Sequence, residues 1–137
     1  MKIFEKRLMI FMSKELSEDE CLFRKIPNNP IMIKADGTIS SAAFKDSKGC
    51  SVDKKADRDN SVIYDMFFQR FYNTSGSIIA VSNVTVGICY EKEAIVIESP
   101  TKENVFHCEI HGSIDKVQLT PSQAKHLARN ANTYKYN

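Results

Sequence analysis

The stretch Ser17–Asp53, SEDECLFRKIPNNPIMIKADGTISSAAFKDSKGCSVD, holds the clearest turn signal in the chain, an arginine inside an apolar run and a dense cluster of hydroxyls. Ser17 followed by Glu20 fits a capping box, so a short helical turn is expected there. The run Cys21–Ile26 stops at Pro27, whose ring disfavours helical backbone at the residue before it, so Ile26 is expected to be extended. Asn28, Asn29 and Pro30 read as a loop. Asp36-Gly37 lies between Ile31–Lys34 and Thr38–Ser41. Both central positions of a type I′ turn need positive φ, which Asp-Gly tolerates, so a hairpin is expected over 31–41. Ala42–Phe44 continues the apolar run, Lys45–Gly49 is a turn and Cys50–Asp53 fits a short strand.

Downstream, Val62, Ile63, Met66, Phe67, Arg70 and Phe71 recur at helical spacing, which predicts a helix over 59–72 with Asp57 or Asp59 as its cap. Tyr64, Phe68 and Tyr72 widen its apolar face, so it is expected to close the core. Gly76 suits a left-handed terminus for that helix. Ser77–Ser82 is nearly continuous in apolar character and reads as an interior strand. Val84–Tyr90 is ambiguous, with Gly87 pointing to a turn or bulge. Ala94–Glu98 and Val105–His111 read as two more strands. Thr120-Pro121-Ser122-Gln123 opens a last helix: threonine caps, proline takes the first helical position and glutamine completes the box. Ala124, Leu127, Ala128 and Ala131 form its apolar stripe, and residues 133–137 are expected to fray. The sum is an α+β single domain over 1–137: a mixed or antiparallel sheet with two or three helices packed mainly on one face, and residues 1–15 a peripheral element.

Composition agrees with a globular chain. It has 137 residues, 42% hydrophobic and 26% charged, enough to bury about two-thirds of its unfolded surface. A net charge of +2 does not by itself imply a nucleic-acid or membrane partner. The charge is uneven, however. Lys116, Lys125, Arg129 and Lys135 face only Asp115 after residue 110, so the C-terminus is the basic end. Cys21, Cys50, Cys89 and Cys108 form no CxxC pair and read as buried reduced thiols. The longest N-terminal apolar run, Leu8–Met12, is far short of a signal segment, and no run approaches a membrane span. A cytoplasmic location without a membrane partner is the expectation.

Three constellations could carry chemistry. On the strand Phe106–His111, alternation places His107, Glu109 and His111 on one face. Two imidazoles and a carboxylate are a legitimate metal ligand set, but the spacing is not HExxH, and the polar face of an outer strand explains the row as well. Arg24 with Ser40, Ser41 and Lys45 would suit a phosphate or carboxylate, against the plainer reading that Arg24 pairs with Asp46 or Asp53. In the catalytic version Arg24 anchors an anion, Ser40 or Ser41 orients it and His107 acts as acid or base. Finally, Lys125 and Arg129 on the last helix could meet a nucleic-acid backbone, against the plainer reading of an amphipathic helix on a sheet. No glycine-rich phosphate loop, GxSxG elbow or cofactor motif is present.

Leu22-Phe23-Arg24-Lys25-Ile26, Ser40–Lys45, Ser51-Val52-Asp53 and His107 before the last helix together resemble a set of small bacterial proteins with no established activity. Their pattern runs L-F/Y-R-R-I, S-S-A-A-F, L-S-V-D and a late histidine; Cys50 stands here where that pattern has leucine. The resemblance implies no mechanism, but it groups Arg24, Ser40, Ser41 and His107. An arginine strand followed by a serine-rich one also resembles ADP-ribosyltransferases, without a matching late glutamate or NAD-binding pattern. The functional expectation is a small bacterial binding or accessory module with a protein partner. The alternatives are an enzyme on a phosphate-containing ligand and a nucleic-acid binder using the C-terminal helix.

Overall fold

The computed structural model describes residues 16–73 and 77–136. Cys21–Pro27 forms β1, Cys50–Lys54 β2, Asn60–Phe71 α1, Ile78–Thr85 β3, Val86–Glu91 α2, Ile95–Glu98 β4, His107–His111 β5, Pro121–Asn130 α3 and Asn132–Lys135 β6, with a 3₁₀ turn at Ser41–Phe44. The strands make one sheet in the order β4-β5-β2-β1-β3-β6, and every neighbouring pair is antiparallel. The fold is therefore α+β with an antiparallel sheet.

Strand alternation divides the core between the two faces of this sheet. Leu22 and Ile26 of β1 join Val52, Ala80, Val84, Cys108, Ile110 and Val96 on one face, against Phe44 of the 3₁₀ turn, Cys89 of α2 and Ala124 and Leu127 of α3. Phe23 and Val81 point to the other face and meet Ile63 and Phe67 of α1 in a smaller cluster. The aromatic helix thus does not close the main core, as its spacing suggested; it covers the opposite face alone. Its buried side chains are Ile63 and Phe67, while Val62, Met66, Phe68 and Tyr72 stay exposed.

Several local expectations change. The Asp36-Gly37 hairpin shrinks to one bridge, Ile33 to Ile39. Only Gly37 has positive φ (87°), and its N–H donates to Lys34 O at 2.9 Å, so the turn is not type I′. Ser40 and Ser41 are not in a strand. The Ser40 hydroxyl accepts the Ala42 N–H and starts the 3₁₀ turn, the local competition by which serine favours caps over ladders. Asp59 occupies the cap position of α1 without a side-chain cap bond. Gly87 is neither turn nor bulge but lies in α2, which Thr85 caps; a β-carbon there would sit 3.2 Å from Glu18 O. Cys21 is half-buried, and none of the four thiols is paired. Gly76 and the peripheral element over 1–15 lie outside the described residues.

The expected frayed tail is instead a strand. β6 pairs with β3 from Asn83–Asn132 to Ala80–Lys135. The wholly buried Ser82 hydroxyl bonds Thr133 Oγ1 at 2.8 Å. Tyr136 donates its hydroxyl to Tyr64 O at 2.6 Å, and Tyr134 stacks on Tyr64 with ring centres 4.1 Å apart. These cross-chain contacts offset the entropy that a terminal segment otherwise keeps.

Helix α3 is the best-specified element. Thr120 Oγ1 accepts from Gln123 N–H, and Gln123 Oε1 accepts from Thr120 N–H at 2.9 Å, with Pro121 in the first turn. The buried Gln123 amide also donates to Gly112 O at 2.9 Å and Lys92 O at 3.0 Å. Gln123→Ala strands these groups, and a loss of about 1–3 kcal/mol in urea unfolding is expected. Gln123→Glu keeps the cap acceptor but turns an oxygen toward two carbonyls; it is expected to be no more stable than the alanine variant in the same measurement. A second expectation concerns Gly49, at φ 114°, where a β-carbon would collide with the Glu109 carboxylate. Gly37 shares the positive φ but meets only the mobile end of Lys135. Gly49→Ala should therefore lower the thermal midpoint more than Gly37→Ala.

Candidate functional site

Three elements enclose a groove of about 810 Å³: the 34–41 segment, α3 and β6. Lys125 and Arg129 are four residues apart on α3 and so share a flank, while Ala124 and Leu127 turn into the core. Lys135 and Thr133 alternate with Tyr134 on β6 and line the groove opposite the aromatic side. The turn at Gly37 admits the Lys135 ammonium, 2.8 Å from where a β-carbon would stand, and brings Lys34 to the rim. Thr38, Ser40, Ser41 and Thr133 add hydroxyls.

Four cations therefore face one space: Lys34, Lys125, Arg129 and Lys135. No acidic residue lines it, and among the described residues none of the four makes an ion pair. The acid beside the turn, Asp36, is engaged by Thr38 through its hydroxyl at 2.6 Å and its N–H at 3.0 Å. Those hydrogen bonds hold the Asp36 carboxyl below its usual range. Like charges without partners in a concave surface raise the local positive potential and favour an anion.

A second cavity, about 480 Å³, shares Lys125 and Arg129 and adds Lys92, Pro121, Ser122 and His126. His126 Nε2 lies 2.8 Å from Glu91 Oε1, so this end carries one acid at its margin.

Arg24 and His107 lie elsewhere, lining a cavity of about 380 Å³ with Lys25, Asp53, Arg70 and Asn104. The β1–β2 ladder has two residue pairs, Leu22–Lys54 and Phe23–Asp53. Beyond it the Arg24 guanidinium donates to Ser51 O at 2.9 Å and to Ala43 O at 2.6 Å. Arg24 thus pairs with neither Asp46 nor Asp53; it pins the 3₁₀ turn to β2. Asp53 is buried and bonded by Arg70 (3.3 Å) and Asn104 (3.0 Å). Ser40 and Ser41 line the basic groove rather than this cavity, and the exposed Lys45 lines none of the three. The arginine, the serines and the histidine are therefore not brought to one bound group. The serines and the pair Lys125 and Arg129, expected separately, do line one groove.

His107, Glu109 and His111 do share a face, but not an outer, solvated one: β5 lies between β4 and β2, and His111 is buried. The Glu109 carboxylate sits between the rings, 2.8 Å from His111 Nε2 and 3.5 Å from His107 Nε2. Among the described residues no group of three His, Cys, Asp or Glu is arranged to hold a metal ion. Burial pushes the Cys50 thiol up to about 11 and those of Cys89 and Cys108 up to about 12, so these sulfurs stay protonated and unreactive near neutrality.

Residue-type reading missed Lys34 and Lys92 as site residues. Lys34 had a usable signal, its place at the start of the Asp36-Gly37 turn, but nothing local tied it to α3. No protein-family model, curated protein or solved structure matches this chain.

Proposed function

We propose that this protein is a small binding module whose ligand carries phosphate groups, seated in the groove between α3, β6 and the 34–41 turn. The observation that carries this reading is the set of four cations without ion-pair partners around one cavity that no acid lines. The Ser40 and Ser41 hydroxyls add neutral donors suited to phosphate oxygens, while that of Thr38 is spent on Asp36 and that of Thr133 is paired with Ser82. A catalytic reading finds less support, because Arg24 spends two of its N–H groups on backbone carbonyls and stands apart from Ser41.

In this reading the module works in the cytoplasm of a bacterium as an accessory to a larger assembly. No helix among the described residues is long and apolar enough to cross a membrane. The outer face of α1 supports a protein companion. Of seven exposed large apolar side chains among the described residues, three are joined there by ring contacts: Phe68 stacks on Tyr72, and Tyr136 links Phe68 to Tyr134.

Titration of the protein into a labelled oligonucleotide by fluorescence anisotropy tests the ligand class. Binding should weaken steeply with salt, with a log–log slope of about −3 to −4 for four phosphate contacts on a duplex. Arg129→Glu combined with Lys125→Glu should lower affinity by about tenfold or more, while Lys102→Glu, in the exposed loop before β5, should leave it unchanged. Affinity indifferent to the double substitution would refute the groove as the site.

A further inference from the structure

Resting on the phosphate-ligand reading, we infer that the ligand is a duplex nucleic-acid backbone running along α3 through both basic cavities, bound without reading base sequence. The two cavities are not separate sites. Lys125 and Arg129 belong to the walls of both, so one extended anion passes from the Lys34 and Lys135 end, across the flank of α3, to Lys92 beside its first turn. Lys125 and Arg129 are about 6 Å apart along the helix by rise alone, and the ten-residue helix spans about 15 Å. A mononucleotide would fill one cavity and leave the cations of the other unanswered; a chain of phosphates answers both.

The side chains present also choose between kinds of nucleic acid. No Phe, Tyr or Trp lines either cavity, and the His126 ring at the Lys92 end is tied to Glu91 at 2.8 Å. Single-strand binding draws much of its affinity from bases stacked on aromatic rings, and the one tyrosine of β6, Tyr134, is stacked on Tyr64 on the far side. A duplex keeps its bases stacked internally and offers phosphates alone, which is what lysine, arginine and hydroxyl groups meet. Of planar side chains that bond a base edge in two places the groove holds Arg129 and Asn132, and its other donors are lysines and hydroxyls of the kind that meet phosphate and sugar. Glu91, held against His126 at the Lys92 end, sets the weaker of the two halves.

The experiment compares inorganic phosphate, a mononucleotide, a 16-base single strand and 16-base-pair duplexes of two unrelated sequences, in wild type, Lys92→Ala and Arg129→Glu. Both basic side chains replaced, Lys92 and Arg129, are exposed, so the substitutions leave the core untouched. The duplexes should bind at least tenfold tighter than the mononucleotide, tighter than the single strand, and within about twofold of each other. Lys92→Ala should reduce the duplex salt slope by about one. Equal affinity for mononucleotide and duplex, a preference for the single strand, or a duplex slope unmoved by Lys92→Ala would overturn the inference while leaving the phosphate site intact. Failure of every probe to bind, or binding that Arg129→Glu does not weaken, would instead remove the underlying reading.

Discussion

The Gln123 side chain is the contact on which the functional half of the molecule depends. One amide closes the cap of α3, ties it to the carbonyl that ends β5 and ties it again to the turn after α2. Three pieces of chain distant in sequence are thereby set at fixed distances. With its N-terminus held, α3 has a single way to lay Ala124 and Leu127 on the sheet, and its rotation about its own axis is settled. That rotation decides where Lys125 and Arg129 point. β6 follows α3 with only Ala131 between them, so the position of Lys135 inherits the same constraint.

Charge is treated differently on the two sides of the sheet. Around α1 the cations are engaged: Arg70 with Asp53, Arg58 over the Phe106 ring, Lys25 over Phe71. Burial, together with Arg24 and Arg70 nearby, lowers the Lys25 ammonium from its usual range, the expected response of a cation partly removed from water. Around α3 the cations are left to solvent and to each other. A surface that leaves like charges facing one another forgoes some stability for a local positive potential, and that contrast within one small domain is why the groove, rather than the Arg24 cavity, reads as the binding surface.

Much of this was legible in the residue pattern because it depended on short-range chemistry. The Thr120–Gln123 cap, the helix over Asn60–Phe71, the extended Ile26 before Pro27 and the strands at Cys50 and His107 all follow from interactions within a few residues. Errors arose where a distant segment supplied a partner. Thr133–Lys135 looked like a fraying tail because nothing near it in sequence could pair with it; Ser82 and Tyr64 do. Gly87 looked like a bulge because the residue that crowds it is Glu18. Arg24 was expected to meet a carboxylate, Asp46 or Asp53, and meets carbonyls instead, because Ala43 O and Ser51 O belong to other elements.

From the chain alone came the fold class, most of the elements and the recognition that the C-terminal helix and the twin serines were worth following separately. Only the folded arrangement could show that these two belong to one groove and that Arg24 and His107 belong to another. The reason is geometric: a strand or helix is written in periods of two or four residues, whereas a binding site is written in the distances between elements. Those distances depend on how the sheet orders its strands and on which side of it each helix lies.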